Sequence, residues 1–381
     1  MLPITPRGFK DVLPGEARWR EAIVSATRAT LSLWGYAPIE TPTLEVLEVL
    51  EQGGELTSTP FRLFDTDNEL LVLRPDVTLQ VARMSASRLS REDLPLRLRY
   101  VERIYREEEG LKALSRQVTQ IGIEAIGLAG AEADAEVVLL AAEVLGAAGL
   151  TNFTLALGTV GVLRELLALC EASGAVDHEW SRAMLRAFHA GNLVAINQLA
   201  SAPSLAPRYA EVLRALPLIN GKAEALARVD KLVAPLGIRD GLEQLRATWA
   251  IIEACGLAAQ VTVDFSVVSA YDYYTGLVLE AYAPGLGKAL GNGGRYDRML
   301  EGFGISAPAA GFALSLETIM QALLNEDALQ NRDAPGLVPA QPELRLVHIE
   351  DDDPAAAFIE AARLRAEGQA AVLGTGTGGQ A

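Results

Sequence analysis

Several short stretches carry side chains able to bind a small charged ligand. In RPDVT, Arg74 to Thr78, a carboxylate (Asp76) and a hydroxyl (Thr78) fall where a strand pattern gives way to a helix pattern, a place suited to an ammonium group. Asp is equally a preferred helix N-cap, so capping alone accounts for it. Tyr105-Arg106 ends one β-patterned run, while Gln120 and Glu124 fall on one face of the next because their separation is even. A cation thereby faces an amide and an acid across a sheet, which also fits a cross-strand ion pair worth about 0.2–1 kcal/mol. YDYYTG, Tyr271 to Gly276, gathers phenols that include Tyr273 and Tyr274, and GNGGRYD, Gly291 to Asp297, joins a Gly-rich turn to Arg295 and Tyr296. Glycines admit close backbone approach to a ligand. The same pattern serves a hairpin turn with aromatic anchors, and a Gly cluster without Lys-Ser or Lys-Thr is no phosphate loop.

Other chemistry finds little support. His178, His189 and His348 have no Ser, Cys or ligand-spaced partner, and Cys170 and Cys255 stand outside any metal or disulfide spacing. No catalytic triad emerges, and no metal site is expected.

These residues need elements to position them. Apolar spacing predicts a helix over residues 16–34, an extended YAPIET, and a β-hairpin from Phe61 to Asp65 and Leu70 to Arg74. Two antiparallel strands are expected in RLRYVERIYR and RQVTQIGIEAIG, then a helix from Glu132 to Leu145 and a strand from Phe153 to Gly158. Residues of about 160–256 show almost only helical periodicity and read as an insertion. Strand patterns return at Gln260 to Phe265, Gly276 to Ala283 and Lys288 to Asn292, before a helix from Ser315 to Leu324. The expected domains are a core over 1–325, a linker over 326–343, and a small βαβ unit over 344–381.

The chain has 381 residues, half of them hydrophobic and 22% charged, which is the composition of a globular protein. Its longest apolar stretch, Val137 to Leu150, is broken by Glu143 and is shorter than the roughly 20 residues a bilayer needs, so it reads as a buried helix. The N-terminus lacks a secretory pattern, and a cytoplasmic location with no membrane partner is expected. A net charge of −16 opposes a nucleic-acid partner, since such binders set Lys and Arg against phosphates.

Together, the motifs resemble the class II histidyl-tRNA synthetase core from about residue 5 to residue 325. PRGFKDVLP at Pro6 to Pro14 resembles the N-terminal signature, the helix leading to IETPTLE resembles the dimerisation motif, and RYVERIYREEEG through IGIEAIG resembles motif two. YDYYTG and GNGGRYD resemble the two histidine-specific segments, and AAGFALSLET resembles motif three. The resemblance implies an α+β fold, a class II aminoacyl-tRNA-synthetase-like antiparallel sheet of six or seven strands flanked by helices, and a homodimeric core. It also implies L-histidine as ligand and no cofactor. Asp76, Thr78 and Gln120 would hold the ammonium group, and Arg106 and Gln120 the carboxylate. Glu124 and Tyr274 would meet the imidazole, with Tyr273 and Tyr296 forming the wall.

The departures are as informative. Where the synthetases carry Arg-Gly-Leu-Asp-Tyr-Tyr, this chain has Ser269-Ala270-Tyr271-Asp272-Tyr273-Tyr274, and where motif three ends in Glu-Arg it has Glu317-Thr318. Two ATP-directed cations are therefore missing, and losing one such partner commonly costs 100-fold or more, on the order of 3 kcal/mol. The anticodon-binding domain is reduced to the βαβ tail. These losses resemble the synthetase's regulatory paralogues, which partner the short form of ATP phosphoribosyltransferase in histidine biosynthesis and form a hetero-octamer. The implied function is therefore non-catalytic, with feedback by histidine and no tRNA bound. A divergent active synthetase, or a paralogue activating an amino acid for another acceptor, is the alternative.

Overall fold

The computed structural model describes residues 5–52, 59–88, 93–107, 115–268, 273–329, 345–349 and 354–375. The chain opens with α1 (Pro14–Leu33), β1 (Ala37–Pro38), β2 (Leu44–Val46) and α2 (Leu47–Glu51). A hairpin, β3 (Arg62–Phe64) and β4 (Leu70–Leu73), leads to α3 (Thr78–Arg88). The long pair β5 (Leu96–Tyr105) and β6 (Gln117–Ile126) is followed by α4 (Gly130–Ala147) and β7 (Thr154–Thr159). Next come α5 (Val160–Ala172), α6 (His178–His189), α7 (Leu193–Leu199) and α8 (Pro207–Ala215). A short β8 (Asn220–Gly221) separates them from α9 (Ala223–Val233) and α10 (Asp240–Ala254). The sheet resumes with β9 (Val261–Asp264), β10 (Leu277–Tyr282), β11 (Gly291–Arg295) and β12 (Ala309–Ser315), and α11 (Leu316–Leu329) follows. Last are β13 (Arg345–Ile349), α12 (Pro354–Ala366) and β14 (Ala371–Thr375).

Local chemistry explains most of these elements. Pro14 starts α1, where its missing N–H costs nothing, and Trp19, Ile23, Thr27 and Leu31 bury one stripe of that helix. The β3–β4 turn places Asn68 at φ 64°, a left-handed conformation that Asn tolerates. Asp76 caps α3, its carboxylate accepting from Leu79 N–H at 3.0 Å. The apolar run at Val137 is buried in α4, which packs against α1, α10 and the sheet. Among the described residues no helix is long and apolar enough to cross a membrane.

The main sheet has nine strands in the order β1-β5-β6-β12-β11-β10-β7-β9-β8. It is wider than the expected six or seven and mixed rather than purely antiparallel, because β1–β5 and β7–β9 pair in parallel. Those parallel pairs lie outside the central block β5-β6-β12-β11-β10-β7, which is antiparallel throughout. A second sheet runs β2-β4-β3. The strand expected at Lys288 to Asn292, running into a Gly-rich turn, is instead the interior strand β11 over Gly291–Arg295, and β12 is a strand that the periodicity did not mark.

The chain divides into two compact units, Met1–Ala334 and Pro335–Ala381. The helical stretch belongs to the first, with α5 and α10 packed on the core rather than standing apart. α11 runs to Leu329, into the expected linker. The second unit pairs β13 and β14 in parallel across α12, the strand-helix-strand order read from the sequence.

Candidate functional site

The site begins with glycines. On adjacent strands, Glu124 of β6 stands opposite Gly311 of β12, which stands opposite Gly294 of β11. A Cβ on Gly311 would lie 2.2 Å from Glu124 Oε2, and one on Gly294 would lie 2.7 Å from the Tyr274 ring. One step along, Gly122 leaves room for Tyr100, whose hydroxyl oxygen would meet a Cβ there at 2.4 Å. The bare backbone of three strands thus forms a floor on which an acid and two phenols lie flat.

Above this floor is a nearly closed cavity, with free space of about 10 Å³, lined by Asp76, Thr78, Gln120, Glu124, Tyr273, Tyr274 and Tyr296, with Asn292, Gly311, Phe312 and Ala313 completing it. The aromatic wall is compact: the Tyr273 ring lies 4.9 Å from Tyr274 and 5.9 Å from Tyr296, centroid to centroid. Tyr296 donates its hydroxyl hydrogen to Glu124 Oε2, and Tyr100 donates to Oε1 at 3.3 Å. Gln120 Oε1 is buried without a hydrogen-bond partner.

Glu124 is buried and Asp76 partly buried in a cavity that has no cation among its lining residues. Burial pushes the Glu124 carboxyl up to about 8, against hydrogen bonds from Tyr296 and Thr78 that favour its charged form, and the charge of Asp76 adds to the rise. Burial likewise raises Asp76, opposed by the Leu79 N–H and the charge of Arg106. Such a site disfavours its own negative charge and gains from a ligand that brings positive charge and donor hydrogens.

Of the eight residues expected to bind, seven line this cavity and Arg106 does not. Its Nε donates to Pro75 O at 2.8 Å, beside the α3 cap, so the guanidinium influences Asp76 from outside the lining. The chain leaves the sheet at Arg106, which frees its side chain from the alternation that fixes Gln120 and Glu124. Thr318 is 2% exposed, and its hydroxyl donates to Ser315 Oγ at 2.9 Å in the first turn of α11. Ser269 lies outside the described residues. His178 and His189 are exposed, and no cluster of His, Cys, Asp and Glu suited to a metal occurs among the described residues.

Tyr100, which donates to Glu124, and Asn292, which lines the cavity, are positions at the candidate site that the sequence reading did not single out. Asn292 lies within the Gly-rich stretch, and Tyr100 shares a face with Glu102 and, across the strands, with Gly122. A glycine at an inward strand position, as in IGIEAIG and AAGFALS, is the available signal: it marks where a neighbouring side chain must lie down.

The Histidyl-tRNA synthetase family matches residues 8–319. An ATP phosphoribosyltransferase regulatory subunit of Symbiobacterium thermophilum is 35% identical over 370 residues, covering 96% of this chain and 89% of that protein. Those of Syntrophotalea carbinolica (38% identical, 84% and 74% covered) and Bacillus subtilis (32% identical, 84% and 82% covered) are also similar. Among solved structures, one described as an ATP phosphoribosyltransferase regulatory subunit/histidyl-tRNA synthetase from Bacillus halodurans C superposes with a TM-score of 0.85 at 28% identity, covering 100% of this chain and 95% of that one. The apo histidyl-tRNA synthetase of S. aureus, 22% identical with a TM-score of 0.69 and coverage of 100% and 86%, shares the fold. By the match over residues 8–319 and by these relatives, the chain belongs to the histidyl-tRNA synthetase family and, within it, to the ATP phosphoribosyltransferase regulatory subunits.

Proposed function

We propose that this chain is the non-catalytic regulatory subunit of a short-form ATP phosphoribosyltransferase and that it takes free L-histidine in the Glu124 cavity as its signal. The partner reading rests on the relatives that carry that name over 84% or more of this chain. The ligand reading is carried by the orphaned Gln120 Oε1, a buried acceptor beside the buried Glu124 and the partly buried Asp76, which calls for a ligand rich in donor hydrogens.

Histidine meets that demand group by group. Its ammonium falls to Asp76, Thr78 and Gln120, its imidazole to Glu124 and the Tyr274 hydroxyl, and its carboxylate to Gln120 and Arg106. Because Glu124 is already engaged by Tyr296 and Tyr100, the ring must displace or share those hydrogen bonds. The binding is accordingly of modest affinity. The synthetase chemistry is lost where Thr318 replaces a cation with a hydroxyl that donates to Ser315 Oγ, the acceptor that also caps the first turn of α11. The assembly is a homodimeric core within a hetero-octamer in the cytoplasm, with tRNA excluded by the net charge of −16.

Mixing tests this reading. The purified chain, combined with a short-form phosphoribosyltransferase from the same organism, is expected to co-elute with it, change its rate, and make that rate sensitive to histidine. A catalytic subunit unaltered in elution and activity would overturn the assignment.

A further inference from the structure

Tyr296 and Tyr274 each have a chain neighbour that faces the other way. Beside Tyr296, Arg295 is buried at 3% exposure and its Nε donates to Asp134 Oδ1 of α4 at 2.7 Å. Arg295 Nη1 also donates to Asp297 Oδ1 at 3.0 Å and to Leu128 O at 3.1 Å. Beside Tyr274, the Thr275 hydroxyl donates to Asp297 Oδ2 at 3.1 Å, and Thr275 N–H donates to Arg295 O at 2.7 Å. The two tyrosine segments are therefore tied to each other behind the wall they build. From Asp134 the chain of bonds continues, because its Oδ2 accepts from Gln244 Nε2 of α10 at 2.6 Å.

The aromatic wall has reason to move. The Glu124 carboxyl that an entering ring would meet is already held by the Tyr296 and Tyr100 hydroxyls, and Tyr296 is the nearer. A ligand that takes Glu124 displaces Tyr296 and so shifts the backbone that carries Arg295. The near end of the network is packed tightly, but the far end borders open space: Asp134 and Gln244 line a cavity of about 310 Å³ with Glu165 and Gly241. A shift there costs little packing, whereas a shift into close-packed core would be resisted.

We infer that the Arg295–Asp134–Gln244 network is a positioning link through which occupancy of the amino-acid cavity is reported to α10. It rests on the amino-acid reading of the Glu124 cavity. Arg295 touches no ligand; it holds the Tyr296 wall and hands its displacement to α4 and α10. Breaking the link at Gln244 leaves the cavity lining intact, so ligand binding and ligand response become separable.

Hydrogen exchange of the full chain with and without L-histidine, run beside calorimetry, tests the link. In the unaltered protein, histidine should change the exchange of α10 amides by roughly fivefold, the equivalent of one hydrogen bond. Gln244→Leu should keep histidine affinity and lose that change. Thr275→Val, at the other end, should also blunt it and decides the matter if the Gln244 variant does not fold. Histidine that binds without altering α10, or a Gln244→Leu protein with the full α10 response, overturns the link and leaves the binding site standing. If calorimetry detects no histidine binding to the unaltered chain, the amino-acid reading falls and the link with it.

Discussion

Glu124 lies across Gly311, with its carboxylate oxygen 2.2 Å from where a Cβ would stand, so the acid reaches the cavity only because the facing residue has no side chain. The same would-be Cβ lies 2.2 Å from Ile123 O, a backbone atom that cannot swing aside.

Gly311→Ala is therefore expected to do more than crowd a side chain. Overpacking of this kind typically costs about 1–3 kcal/mol of stability. Thermal denaturation should register that loss, and calorimetry should find histidine binding abolished. Unchanged affinity would mean that the ligand lies elsewhere.

Glu124→Ala should weaken histidine binding at least about tenfold, since a hydrogen bond to a charged group is worth roughly 1.5–3 kcal/mol. The complex with the phosphoribosyltransferase should become insensitive to histidine. Titration by calorimetry and inhibition curves on the mixed complex measure the two effects.

The raised carboxyl makes a signed pH prediction. With Glu124 at about 8 in the fold and near 4.5 when unfolded, the folded protein holds an extra proton between those values. Stability from this group is then greatest at low pH, falls as pH rises from about 5 to 8, and levels off above that; the whole effect is on the order of a few kcal/mol. Glu124→Gln removes the titration. The melting temperature of that variant relative to the unaltered chain should rise steadily across pH 5 to 8, and a flat difference would show that Glu124 is ionised throughout.

ATP–pyrophosphate exchange should stay at background with histidine present, because Thr318 offers a hydroxyl committed to Ser315 where adenylate chemistry needs a cation. Exchange well above background would restore the synthetase reading.

The sequence determined much of the fold because its signals there are local. The stripe Trp19, Ile23, Thr27, Leu31 specifies α1, the Asn68 turn specifies the hairpin, and an even spacing puts Gln120 and Glu124 on one face whatever the strand pairs with. It also determined the family, through motifs whose order survives any folding detail. What it left to tertiary structure depends on partners distant along the chain. The later part of GNGGR reads as a turn because glycine is permissive on its own, yet the whole segment is an interior strand because β10 and β12 approach it too closely for side chains. Tyr100 enters the site only through its register with Gly122. Arg106 stays outside the cavity lining because its Nε meets a carbonyl 31 residues away, and no spacing within its own strand encodes that contact.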